Sequence, residues 1–376
     1  MFFLLIGLIG LYVIARTVPY LPWRKPWKIL AASVLLLITY EHLISRAVFG
    51  SLASPEAPFA IVVLQGWLFG ALVLTASILF LLDIASLFGW TLVKLGAASA
   101  LKFSRYRTLV WLYILAALFS GAGVWQALQI PEVRTTEISL PGLPPDLDGL
   151  RIVQISDLHA SRLYEASWVQ TVVDRANALQ PDLILLTGDM IDGSPEDREQ
   201  DVAPLKKLKA RLGVFAIPGN HEYYSGYARW IGTFEQLGLR MLLNQHVVLM
   251  DRGHPLVLAG LTDRGAERFG ETPPDITTAL TGAPKLAPTI LMAHQPRGAE
   301  IHNQAGVDLQ LSGHTHAGQI IGIHLLTKWA NDGYVSGLYD VGQMKLYVSN
   351  CAGLWPGLPI RLGRPAEIAQ LVLKTS

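Results

Sequence analysis

Five short blocks hold the residues best suited to chemistry: Asp157-Leu158-His159, Gly188-Asp189, Gly219-Asn220-His221-Glu222, His294 and Gly313-His314-Thr315-His316. Two hard divalent cations about 3.5–4 Å apart need a bridging carboxylate, terminal nitrogen and oxygen ligands, and open positions for water and substrate. The blocks supply that inventory. Asp157 and His159 stand at i and i+2, as do His314 and His316, and in extended backbone such residues point to one side. Each pair can therefore grip one cation or two neighbouring ones. A single D-x-H or H-x-H is a weak signal; five blocks in this order, each after an apolar run, point together to a metal centre.

The elements that must position them are legible in the flanking sequence. From residue 150 onward short apolar runs alternate with helical patterns, and each run ends in a polar motif, which is an α/β signature. Residues 150–155 read as a strand ending at Asp157 and His159. Residues 164–179 read as a helix with apolar positions at Val169, Val172, Val173, Ala176 and Leu179. Strands over 183–186 and 214–217 deliver Asp189 and, past Pro218-Gly219, Asn220 and His221. Residues 288–292 lead to His294, and 309–311 to His314 and His316. Ligands of open α/β sheets bind outside the carboxyl ends of strands, where all five blocks fall.

The first third of the chain is of another kind. The 376 residues have a mean hydropathy of +0.36, too apolar for an ordinary soluble enzyme, and the excess lies at the N-terminus. Residues 2–15, 29–40, 57–82 and 108–131 carry no charge, and a helix crossing about 30 Å of hydrocarbon needs about 20 apolar residues. Four transmembrane helices are expected near 2–20, 28–48, 58–82 and 108–130. The second is long enough only if Glu41 and His42 lie near the bilayer boundary, and apolar sequence continues past Asp83 to Lys94. Residues 1–20 lack the basic start and small-residue cleavage site of a signal peptide. Arg16, Arg24, Lys25 and Lys28 follow the first span, and Lys94, Lys102, Arg105 and Arg107 precede the fourth. The positive-inside rule makes both loops cytoplasmic and everything after Ile130 extracytoplasmic. Trp23, Trp27, Trp90, Trp111 and Trp125 sit near span ends, as interfacial anchors should. Glu41, His42 and Asp83 also fall near span ends, where solvation is cheap, so no intramembrane function is assigned to them.

To residue 134 there are ten basic against four acidic residues, leaving twenty against twenty-five. The remainder is mildly acidic, and no nucleic-acid partner is expected. The single cysteine, Cys351, excludes an intrachain disulfide or a Cys-based zinc site and reads as a small buried apolar residue. Residues 1–130 form the membrane region, the proline-bearing stretch within 131–149 reads as a linker, and 150–376 is the catalytic domain.

The pattern D-x-H, G-D, G-N-H-[DE], H, G-H-x-H resembles that of the calcineurin-like metallophosphoesterases over about residues 150–320. Gly188 to Asp192, Gly313 to Gln319 and the tail with Pro359-Ile360-Arg361 resemble a bacterial membrane-associated branch. Ala317 and Cys351 stand where that branch commonly has glycine, and four helices are more than its single anchor. The resemblance implies an αββα sandwich. It further implies one metal held by Asp157, His159, Asp189 and His316, and a second held by Asp189, Asn220, His294 and His314, with Asp189 as the bridge. His221 would then be the catalytic proton donor or transition-state stabiliser, and a metal-bridging hydroxide the nucleophile. The cofactors expected are two divalent ions, Mn, Fe or Zn, since this ligand set suits all three.

Other residues are read more plainly. Glu222 and Asp192 are expected to orient histidines rather than ligate. His246, His254, His302 and His324 receive no catalytic role, and Tyr223 and Tyr224 are either substrate-mouth residues or ordinary aromatics. The leading expectation is a multi-pass inner-membrane enzyme hydrolysing a phosphomonoester, phosphodiester or pyrophosphate bond, with a lipid or cell-envelope substrate and membrane lipid as its neighbours. The alternative is a non-catalytic membrane sensor or assembly protein, which the full ligand set and His221 oppose. A transporter is disfavoured because no interrupted helix repeats occur.

Overall fold

A computed structural model describes residues 2–51, 54–95 and 105–375. Contacts divide the chain into two units, one of Met1–Gln126 with Pro356–Ile360, the other of Ala127–Trp355 with Arg361–Ser376. In the first, α1 (Phe2–Thr17), α2 (Lys25–Thr39), α3 (Glu41–Phe49), α4 (Phe59–Lys94) and α5 (Arg105–Ala127) follow the four apolar runs. Three helices are long and apolar enough to cross a membrane, and α2 with α3, bent by 59°, is a fourth candidate. At 1.5 Å per residue α2 alone is only about 22 Å long, short of the hydrocarbon core. The expected third span ends too early: α4 runs 36 residues, about 54 Å, because the apolar sequence offers no break after Asp83. Lys102, counted in the second basic loop, lies outside the described residues.

Polar groups inside this unit find protein partners. Asp83 accepts from Tyr12 Oη and Arg16 Nε, each at 2.8 Å, so α1 and α4 share a compensated charge. His42 departs from the expectation of cheap solvation. It is buried, with Nε2 2.9 Å from Gly357 O, its ring edge-on to Phe69 and Glu41 beside Nδ1. Gly66 and Gly70 share one face of α4. A Cβ on Gly66 would lie 2.5 Å from Pro359 Cγ, and one on Gly70 2.6 Å from Ser120 Oγ, so both close approaches require glycine. The segment Pro356–Ile360, remote in sequence, is thereby held among these helices.

The second unit is built on two mixed sheets. The strands of the first are β1 (Glu132–Leu140), β2 (Arg151–Ile155), β3 (Leu183–Thr187), β4 (Val214–Ile217), β5 (Arg240–Met241) and, from the chain end, β12 (Glu367–Thr375). They lie in the order β1-β12-β2-β3-β4-β5. The second sheet contains β6 (Gln245–Asp251), β7 (His254–Gly260), β8 (Thr289–Met292), β9 (Leu309–Ser312), β10 (Gly337–Val341) and β11 (Met344–Val348), in the order β10-β11-β9-β8-β7-β6. Ile152, Leu183, Leu185 and Phe215 of one sheet share a buried cluster with Leu256, Leu258, Ile290 and Leu309 of the other. The residues between them, such as Ile184, Leu186 and Leu291, are buried on the outer faces. Strands buried on both faces read as continuous apolar runs, which is why these were legible. Among the helices, α6 (Ala166–Ala178) buries Val169, Val172, Val173 and Ala176, as its periodicity predicts. Two sheets face to face with helices outside make the expected α/β sandwich.

The linker reading does not survive. Glu132–Leu140 is a strand in parallel register with Glu367–Thr375, and Ile138 and Leu140 are fully within the inter-sheet cluster. The apolar residues of β1 are only Val133, Ile138 and Leu140 and its partner comes from the far end of the chain, so the local composition resembles a connector.

Candidate metal centre

Every block sits just past the carboxyl end of a strand: Asp157 after β2, Asp189 after β3, Asn220 after β4, His294 after β8 and His314 after β9. The strand ends of the two sheets are tied together, with Gln154 donating to Thr187 Oγ1 at 2.9 Å and Ser312 O at 3.0 Å. Three groups of ligand atoms converge: Asp157, His159 and His316; His159, Asp189 and His221; and Asp189, His294 and His314, each within 4.8 Å. Asp189 belongs to two of them. Asn220 joins the last group, its Oδ1 3.2 Å from His294 Nε2.

Hydrogen bonds decide which ring nitrogens face inward. His294 Nδ1 is 2.8 Å from the carbonyl of Thr187, which can only accept, so Nδ1 carries the proton and a neutral ring turns the Nε2 lone pair inward. That lone pair meets Asp189 Oδ2 and Asn220 Oδ1, both at 3.2 Å. His159 Nδ1 likewise pairs with Asp192 Oδ2 at 2.9 Å, leaving Nε2 3.4 Å from His316 Nε2. His316 Nε2 is also 3.4 Å from Asp157 Oδ1. Acceptors crowded on acceptors are favourable only with a cation between them, and hard or borderline divalent ions fit a set of imidazole, carboxylate and amide donors. The two carboxylates make the position beside His294 Nε2 attractive to positive charge. Burial opposes protonation of His294, yet Asp189 and Asp157 outweigh it and hold its pKa well above the ordinary value. A metal ion in place of that proton would meet the same field and leave the ring neutral. Burial, the largest influence on His316, pushes it down to about 3.

The second layer is economical in residues. Asp192 receives His159 on one oxygen and His221 Nδ1 on the other, so one buried carboxylate orients both rings. His221 stands with Nε2 3.9 Å from Asp189 Oδ2. Burial lowers its pKa, but Asp189 and Asp192 overcome this and raise it to about 9. Glu222 lies in α8 (Asn220–Tyr224), which follows α7 (Pro195–Val202). It accepts backbone N–H bonds from Gly219 at 2.6 Å, Met190 at 2.7 Å and Asp189 at 3.0 Å. Glu222 therefore stitches the Asp189 loop to the Asn220 loop through backbone amides, whereas the expected orienting of histidines is seen at Asp192.

The backbone at the ligands is not extended. Asp157, His159, Asp189, His314 and His316 all have φ between 48 and 67°, so the i, i+2 alternation expected of strand residues does not operate. Left-handed backbone costs about 1–2 kcal/mol per non-glycine residue, and such strain gathers at functional sites. Surrounding bonds hold it: Asp157 N–H donates to Gly188 O at 2.9 Å and His159 N–H to Asp189 O at 3.0 Å, while both Asp157 oxygens accept from His314 N. Gly313 is required by crowding, since a Cβ there would collide with Ser156 and Asp157.

Comparison with known proteins agrees with this geometry. The profile of the calcineurin-like phosphoesterase family matches residues 150–318. A metallophosphoesterase of Helicobacter pylori is 36% identical over 263 residues, covering 69% of each chain. The chain belongs to the calcineurin-like metallophosphoesterase family. The similarity is not confined to bacteria: a zebrafish transmembrane protein with a metallophosphoesterase domain is 32% identical over 96% of this chain and 83% of its own. The metallophosphoesterase YkuE of Bacillus subtilis is 32% identical over 69% of this chain and 93% of its own. The protein is thus a metal-dependent phosphoric ester hydrolase with apolar helices that mark it as a membrane protein.

Within this metallophosphoesterase the two departures from the common wording become intelligible. Ala317 and Cys351 adopt φ of 54 and 70°, the region glycine enters freely. Cys351 is buried, and burial pushes its thiol pKa well up, so it is inert. Arg361, named only as part of a motif, proves structural: its buried guanidinium donates to Asn350 O at 2.9 Å, Gly353 O at 3.0 Å and Cys351 O at 3.2 Å. Gly353 in turn donates to Asp157 O at 2.8 Å. The adjacent tyrosines divide. Tyr223 is buried and stacks on Tyr227 at 4.3 Å, whereas Tyr224 is half exposed, with its ring 5.2 Å from His221 and 5.6 Å from Phe269. His246, His254 and His302 bond to Ala279 O, Asp146 and Gln310, and His324 accepts from Gly322 N, all away from the ligand groups.

Proposed function

We propose that the domain is a binuclear phosphoesterase, with Asp157, His159, Asp189 and His316 holding one divalent ion and Asp189, Asn220, His294 and His314 the other. The observation that carries this reading is the convergence of inward-facing imidazole nitrogens on Asp157 and Asp189. Two dications, Mn, Fe or Zn, supply when bound an activated water as nucleophile and charge stabilisation for the phosphoryl oxygens. Asp189 would be the carboxylate shared by the two ions, since its Oδ2 lies 3.8 Å from His159 Nε2 on one side and 3.2 Å from His294 Nε2 on the other. His221, oriented by Asp192, gives a proton from Nε2 to the departing oxygen. Tyr224 lines the mouth through which the ester enters.

The bond cleaved is a phosphomonoester, phosphodiester or pyrophosphate of a lipid or cell-envelope compound, and the domain faces the extracytoplasmic side of the inner membrane. The loop charges support that orientation, and the spans support a membrane-borne substrate through effective concentration. Elemental analysis of purified full-length protein tests the centre: two ions per chain are expected, falling sharply in Asp189→Asn. A stoichiometry near zero after metal-supplemented purification would refute the binuclear reading, and a sensor that only binds would show two ions with no turnover of any ester.

A further inference from the structure

Immediately beyond the turn that carries His316, the described structure exposes a set of large apolar side chains. Ile321 is 64% exposed, and in α12 (His324–Ala330) Leu325, Leu326 and Trp329 are 60, 68 and 84% exposed. No residue of α12 is buried. Its one charged residue, Lys328, adjoins Trp329, and an amphipathic ring beside a long basic stem suits the headgroup layer of a bilayer. A contiguous exposed apolar patch marks an interaction surface.

What covers it follows from its attachments. Ile321 N–H donates to Leu362 O at 3.1 Å, and Leu362 N–H donates to Gln319 O at 2.8 Å. Leu362 follows closely on Pro356–Ile360, the segment that belongs with the apolar helices. The start of α12 is therefore pinned to chain that leaves the membrane-spanning unit. We infer that Ile321, Leu325, Leu326 and Trp329 enter the interface between headgroups and acyl chains, and that this lipid-seated strip presents amphiphilic phosphoesters to the adjoining metal centre. The inference deepens the proposed function by assigning a lipid-contact surface to the same site.

Cys351 is the only cysteine and is buried, so Leu326→Cys in the full-length chain places one accessible thiol on the strip for an environment-sensitive fluorophore. In phosphatidylglycerol vesicles, doxyl-labelled lipid should quench the probe strongly and aqueous iodide weakly, with Trp329→Cys behaving alike. Quenching by iodide and not by doxyl lipid at both positions would overturn the inference. In parallel, the Leu325→Asp/Trp329→Asp variant should lower the ratio of vesicle-borne phosphodiester to bis(4-nitrophenyl) phosphate hydrolysis by about tenfold or more, a factor equivalent to about 1.4 kcal/mol, and leave the soluble rate unchanged. An unchanged ratio would also overturn it. Failure of the metallophosphoesterase reading itself looks different: no ester is hydrolysed by the parent protein, while the quenching still reports where the strip lies.

Discussion

At the scale of single residues, the assignments separate chemistry from metal retention. His221→Ala should keep both ions and the fold while slowing turnover by about 10² or more, the usual scale for a positioned proton donor. Metal analysis beside steady-state rates checks this; an unchanged rate removes His221 from catalysis, and lost metal returns it to the ligand set. Asp192 contacts His159 as well as His221, so Asp192→Asn should do both kinds of damage. Removing such an outer partner typically costs about 10–100-fold in metal affinity or activity. Competition with a chelator, read together with turnover, should show weaker metal binding for Asp192→Asn and not for His221→Ala. A variant that loses only turnover would show that His159 does not depend on Asp192 for its orientation.

At the scale of elements, β1 decides where the catalytic unit can be cut. A fragment starting at Ala127 retains the strand and its whole register with β12, and should remain soluble and hydrolyse small aryl phosphates. A fragment starting at Pro141 removes Ile138 and Leu140 from the core. Each such side chain contributes about 1.5–3 kcal/mol by burial, and β12 becomes an exposed edge prone to aggregation. Thermal melts and size-exclusion profiles of the two fragments should differ accordingly, the shorter one melting lower or aggregating; identical behaviour would show β1 to be dispensable. Within the helical unit, Gly66→Leu collides with Pro359 and should lower the melting temperature of the full chain, measurable in detergent by differential scanning fluorimetry.

For the whole molecule, the question is which side of the membrane the metal centre faces. Reporter fusions after Ser376 that require export for activity should be active, and fusions beside Lys25 inactive. An inactive reporter at Ser376 with an active one beside Lys25 would place the centre in the cytoplasm and restrict it to inner-leaflet or soluble esters. Removal of metal by chelation should abolish hydrolysis in every assay, with recovery on adding back Mn, Fe or Zn deciding which ion the site uses.

The candidate ligand residues' types, the strand ends and the apolar helices are readable from the sequence because each is a local property: residue type, a period, or a run long enough to cross a bilayer. Leu183–Thr187 followed by Asp189 announces a buried strand delivering a carboxylate, whatever surrounds it. The second span reads in sequence as one helix over 28–48, and the 59° bend between α2 and α3 is visible only in the structure. Only tertiary structure decided that 132–140 is a strand, since its partner lies at the far end of the chain. Only tertiary structure showed that Asp192 serves two histidines, that His42 meets the carbonyl of Gly357 and that Arg361 braces the loop behind Asp157. The left-handed backbone of the ligands belongs in the same class, because non-glycine residues adopt it only when contacts from several loops together outweigh the local cost.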